Sequence, residues 1–196
     1  SKKSDHFVGD CYVAYDKGLK EHPEREQEIQ DMLIKRENWD PETIALRKKM
    51  NKRALDGQAE TYKRYGTHID KAYLESDHYL KGKALIEQWI QDGIFYANEK
   101  GNIVADLIQE MGQEKTVLRA DGTSIYMTQD LALGKLRYDD FCMDRMIYVV
   151  GNEQEDHFKA LFLLFKKLGY CFADSCYHLS YGMIELPDGK MKSREG

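Results

Sequence analysis

The stretch MIYVVG-NEQEDHFKALFLLFKKLG, followed by YHLSYGM, constrains the fold more than any other part of the chain. A short β-branched apolar run, a glycine, an amphipathic helix closed by Gly169 and a second apolar run make up a βαβ unit, reaching from about Arg145 to Met183. That unit is the building block of a doubly wound parallel sheet, because parallel neighbours need a long crossover between them. MIYVVG is continuously apolar, which predicts a strand buried on both faces, with helices covering the sheet.

The 196 residues suffice for one sizeable domain, with 42% hydrophobic and 32% charged residues, as in soluble globular chains. No window approaches 18 consecutive apolar residues and the N-terminus has no apolar leader core, so the expected location is the cytoplasm, with no membrane partner. The net charge of −5 confines any nucleic-acid contact to a local basic patch. The four cysteines form no C-x-x-C pair, which favours reduced structural thiols and no protein-bound metal.

Residues 1–66 read as a mainly helical, charged segment, and 67–196 as a Rossmann half with an insertion. After Pro23, the spacing of Ile29, Met32 and Leu33 predicts a helix with one buried face. Asp40-Pro41-Glu42 is a helix start with Asp as N-cap and Pro at the first helical position, and Gly66 is its stop. HIDKAYLES predicts a short strand entering a helix capped at Ser76, with Leu80, Ala84, Leu85, Trp89 and Ile90 inward and Gly93 at its end. IFYANEKGNIVADL predicts a hairpin, and a second is expected at Asp121-Gly122, with Tyr126 ending a strand and Thr128 capping the next helix.

Ligands of open α/β sheets bind beyond the carboxyl ends of the strands. Three places qualify: YMTQD, with Tyr126 and with Asp130 in a first helical turn; GNEQEDH, with Gln154 and His157; and the run from SYGM to GKMKSREG. Each also has a plain reading, as helix-dipole complement, helix surface or solvated basic turn. Neither a G-x-G-x-x-G fingerprint nor a P-loop occurs, and no Ser/His/Asp arrangement can be defended.

In this order and spacing, LRADGTSIYMTQDLAL, MIYVVGNEQEDHFKALF and HLSYGMIELPDGKMKSREG resemble the second half of the Rossmann catalytic domain of class I aminoacyl-tRNA synthetases, and within that class the arginyl-tRNA synthetases. DPETIALRKKMN and YGTHIDKAYLESD resemble the family's preceding segment, so the likeness covers essentially the whole chain. The implied fold is α/β: half of a doubly wound parallel sheet, with a helical N-terminal segment and a small β-hairpin insertion. The implied activity is ATP-dependent activation of L-arginine to the adenylate and its transfer to tRNA(Arg), with Mg²⁺ accompanying ATP and no role for DNA. The resemblance assigns Tyr126, Asp130 and Gln154 to the arginine side chain, His157, Gly182, Met183 and Lys190 to ATP, and Lys190, Lys192 and Arg194 to the phosphate-closing loop.

Two departures from the family pattern stand out. The loop reads KMKSR where the class has KMSKS, so Lys192 or Arg194 is expected to replace the second lysine. The class's HIGH motif is absent; the expectation is therefore a portion of a larger catalytic domain, inactive alone, with the anticodon-binding domain following the loop. The alternatives are a stand-alone ATP- or partner-binding module derived from a synthetase, and a synthetase for glutamate or cysteine. An acidic pocket at Asp130 disfavours glutamate.

Overall fold

A computed structural model describes residues 2–74, 84–120, 125–183, 185–187 and 189–190. The chain divides into two compact units, Ser1–Asp70 with Ile184–Gly196, and Lys71–Met183.

The first unit is built on three helices, α1 (Ser4–Glu21), α2 (Glu26–Glu37) and α3 (Pro41–Tyr65). The sequence sets the ends of α3 chemically. The Asp40 carboxylate accepts from the Thr43 backbone N–H at 2.9 Å and from its hydroxyl at 2.7 Å, which holds its pKa below the ordinary value, and Gly66 terminates the helix at φ 69°. Gly57 lets α1 approach: a Cβ there would lie 2.4 Å from the Asp5 carboxyl carbon. The expected buried face of α2 is not formed, since Met32, Leu33 and Ile34 are all exposed and only Ile29 is half-buried. Helical spacing specifies which residues share a stripe but not whether a neighbour covers it. The hairpin β6 (Glu185–Leu186) and β7 (Gly189–Lys190) also belongs to this unit.

Residues 67–74 form no strand, contrary to expectation; at the start of the second unit the chain is pinned by side chains. Lys71 and the Tyr73 hydroxyl both engage Asp140 at 2.5 Å. Residues 84–91 form α4, which buries Ile86 and Trp89; Leu85 and Ile90 are half-buried, Ala84 is exposed, and Gly93 follows at φ 73°. The predicted Ser76 cap and Leu80 lie outside the described residues. The expected hairpin is the pair β1 (Tyr96–Ala97) and β2 (Ile103–Leu107), and β3 (Gln113–Leu118) extends it after the single-turn α5 (Ile108–Met111).

The turn at Asp121-Gly122 lies outside the described residues; from Ile125 onward the chain enters a helix. Tyr126 opens α6 (Tyr126–Phe141) rather than ending a strand, and Asp130 therefore sits in its second turn. Thr128 is the third helical residue rather than the cap. Its hydroxyl accepts from the Ile125 N–H at 3.3 Å and donates to the Val117 carbonyl, at the residue skipped where the β2–β3 register shifts. A buried hydroxyl thus ties the helix start to the sheet.

The βαβ unit is present as β4 (Met146–Gly151), a 3-10 turn at Asn152–Gln154, α7 (Glu155–Lys167) and β5 (Cys176–Tyr181), with β4 and β5 parallel and in register from Met146↔Cys176 to Gly151↔Tyr181. Gly169 at φ 71° closes the crossover helix. Phe158, Ala160, Leu161, Leu164 and Phe165 of α7 are buried and face Met146 and Tyr148 of β4, Met127 and Leu131 of α6, and the insertion strands. Each fully buried large side chain contributes roughly 1.5–3 kcal/mol. The expectation that β4 is buried on both faces is wrong: Ile147 is 53% and Val149 62% exposed, as are Tyr177, Leu179 and Tyr181 on β5. A continuous apolar run records that both faces suit burial, and here one helical layer covers one face.

Candidate functional site

Gly151 and Tyr181 are register partners, so β4 and β5 end at the same edge, and the segments leaving that edge carry Gln154, His157, Gly182 and Met183. The turn Asn152–Gln154 and the start of α7 follow β4; Gly182 and Met183 follow β5. The start of α7 is fastened to the end of β5 by Ser180, whose hydroxyl donates to Glu155 at 2.8 Å. His178, one pleat earlier, bonds the Val150 carbonyl at 3.0 Å.

Two predicted residues come into direct contact. His157 Nε2 lies 2.6 Å from Asp130 Oδ2, joining the first turn of α7 to the second turn of α6, with both side chains partly shielded (18% and 32% exposed). A carboxylate only accepts, so the imidazole proton in this bond is on Nε2. The ring stands edge-on to Phe158 at 5.4 Å, and Phe158 in turn packs on Tyr148 and His178. Burial pushes the Tyr148 phenol above its ordinary pKa, and the nearby negative charge of Asp130 acts in the same direction. The Arg137 guanidinium, over the Tyr148 ring at 5.7 Å, opposes that shift. Partly shielded from water, the Asp130 carboxylate is worth more to an incoming cation than it would be in open water.

Tyr126 lies one helical turn before Asp130 on α6 and is 80% exposed. Gln154 is exposed at the entrance to α7, and Gly182 and Met183 are exposed after β5. Lys190 is on β7, in the other unit, while Lys192 and Arg194 lie outside the described residues. Sequence reasoning assigned Asp130 and His157 to separate ligands and missed their contact, and it missed the Ser180–Glu155 bond altogether. The available signal was that all four residues sit at or just beyond strand ends or at helix starts. Among the described residues no group of three His, Cys, Asp or Glu side chains is arranged to hold a metal ion. Among them, too, no helix is long and apolar enough to cross a membrane.

Residues 4–196 match the model of a family described as tRNA synthetases class I (R), catalytic domain. The chain is 53% identical to an arginine–tRNA ligase of Treponema denticola over 99% of its own length and 33% of that protein's. It is 47% identical to one from Bacteroides fragilis over 100% of its length and 36% of the relative's, so it spans about a third of the curated relatives it matches. Among solved structures, the arginyl-tRNA synthetase of Plasmodium falciparum superimposes with a TM-score of 0.71 over 93% of this chain and 34% of that one, at 15% identity, a likeness of fold.

Proposed function

Because the chain belongs to the family of class I arginyl-tRNA synthetase catalytic domains, we propose that it is the arginine-reading and loop-bearing segment of an arginine–tRNA ligase. The longer protein activates L-arginine with ATP and esterifies tRNA(Arg) in the cytoplasm. In the first step an arginine carboxylate oxygen attacks the α-phosphorus of ATP, forming the arginyl-adenylate and releasing pyrophosphate. In the second, the terminal ribose hydroxyl of tRNA(Arg) takes the arginyl group and AMP leaves. No covalent enzyme intermediate is needed; the protein orients the reactants and stabilises charge growing on the phosphate. Mg²⁺ enters with the ATP phosphates as part of the substrate.

The observation that carries this reading is the Asp130 carboxylate, partly shielded on α6 and held at 2.6 Å by His157. A guanidinium is planar, always charged and forked, and a carboxylate held in a fixed orientation takes it in a two-point contact. Tyr126 and Gln154 complete the arginine subsite by supplying an aromatic edge and an amide. The adenosine side is assigned to Gly182 and Met183 after β5, together with His157 on α7. Lys190, Lys192 and Arg194 act on the phosphates, the last two in place of the second KMSKS lysine.

The test is ATP–pyrophosphate exchange by the full-length protein with tRNA(Arg) supplied, repeated over the standard amino acids. Exchange with arginine alone is the expected result. Exchange with glutamate or cysteine, or none with arginine, overturns the proposal.

A further inference from the structure

The contact between His157 and Asp130 has no place in an assignment that gives one residue to ATP and the other to arginine. The two side chains come from different helices and lie 27 positions apart in sequence, and the bond between them is short, at 2.6 Å. Asp130 lies in the second turn of α6. Its carboxylate is free to rotate about two side-chain torsions unless something outside α6 fixes it. His157 is that fixture: its Nε2–H is committed to Oδ2, and its ring is itself immobilised edge-on against Phe158, whose side chain is 6% exposed. An aspartate oxygen has two acceptor directions, so Oδ2 can hold the imidazole and, with Oδ1, still present a fork to a guanidinium.

We infer that His157 is a positioning residue for arginine specificity: it acts through Asp130, presetting the carboxylate plane, and contributes to arginine affinity more than to ATP affinity. This role of His157 rests on the arginine reading of Asp130 proposed above. It adds a fourth residue to the proposed arginine subsite, on the crossover helix. Because α7 begins immediately beyond β4 and is bonded to β5 through Glu155 and Ser180, the same helix start that borders the nucleotide side also sets the geometry on the amino-acid side. Preorganisation of this kind lowers the ordering cost of binding rather than adding a ligand contact.

The experiment uses the full-length protein with tRNA(Arg) present and measures KM for arginine and for ATP separately by pyrophosphate exchange. Variants are Asp130→Ala, His157→Ala, His157→Gln and the double alanine variant, each checked for an unchanged melting profile. His157→Gln retains an N–H donor near the position of Nε2. The expected results are a rise of about tenfold in KM for arginine in His157→Ala, in line with the loss of one charge-assisted hydrogen bond, with a smaller rise in KM for ATP. His157→Gln should restore most of the affinity, and the double variant should be no worse for arginine than Asp130→Ala, as expected for two groups acting as one unit. A rise in KM for ATP with KM for arginine unchanged in His157→Ala overturns the inference, as does full additivity in the double variant. If Asp130→Ala itself leaves KM for arginine unchanged, it is the arginine reading of Asp130 that fails, and this inference with it; a large Asp130 effect beside a silent His157 removes the inference alone.

Discussion

Single side chains in this chain do work that local spacing does not reveal. Thr128 reads as a helix cap, yet it is 1% exposed and its hydroxyl serves both the Ile125 N–H and the Val117 carbonyl. Thr128→Val keeps the shape and removes both bonds, so it should destabilise the fold by about 1–3 kcal/mol, read as a lowered midpoint in urea unfolding; an unchanged midpoint would mean the hydroxyl is not a structural tie. The cysteines give a pH-dependent case. Cys176 is half-buried, and burial raises its thiol from the ordinary 9.0 to about 11, whereas Cys11, Cys142 and Cys171 are exposed. Only the thiolate is alkylated, so a raised pKa keeps Cys176 protonated and slow at pH 8, with reactivity recovered only as pH climbs toward 11. Iodoacetamide labelling followed by mass spectrometry should find Cys176 last among the four. The candidate residues Tyr126, Asp130, Gln154 and His157 could be proposed one at a time, because each lies near a strand end or a helix start. The Asp130–His157 bond was not, because no local rule relates a residue on α6 to one on α7.

At the level of elements, the βαβ unit was legible because its signals agree: a β-branched apolar run, a glycine, a helical stripe and Gly169 as terminator all specify the same structure. The insertion hairpin and α3 were legible for similar reasons, through turn and cap chemistry. The errors came where one signal was read without its tertiary partner. HIDKAY has strand-like composition, but residues 67–74 are instead held by Lys71 and Tyr73 bonding Asp140. Tyr126 has the look of a strand end, but the chain is already helical there, ahead of the expected cap, because Thr128 can satisfy Ile125 from inside the first turn. Packing of α6 on α7 also depends on a residue without a side chain. A Cβ on Gly134 would fall 2.2 Å from the ring of Phe165, which is fully buried among Tyr170 and Phe172 and has nowhere to move. Gly134→Ala should therefore cost about 1–3 kcal/mol despite the better helix propensity of alanine. A thermal melt that rose instead would contradict the close approach.

On the scale of the whole molecule, the parallel pair β4–β5 exposes Ile147, Val149, Tyr177, Leu179 and Tyr181 on one face, although parallel sheets are normally covered on both. The chain spans about a third of its relatives. In the full-length protein that face should be covered, so Val149→Asp there should destabilise by about 2 kcal/mol or more through burial of an unpaired charge; no change in its unfolding midpoint would show the face open to solvent. The proposed arginine readers Tyr126, Asp130 and Gln154 all fall within the unit Lys71–Met183. The most direct measurement is the KM for arginine in tRNA-supported ATP–pyrophosphate exchange by the full-length protein carrying Asp130→Ala. Charge-assisted contacts of ~1.5–3 kcal/mol predict a rise on the order of tenfold to over a hundredfold, with KM for ATP unchanged. An unaltered KM for arginine would contradict the assignment of Asp130 as the reader of the guanidinium.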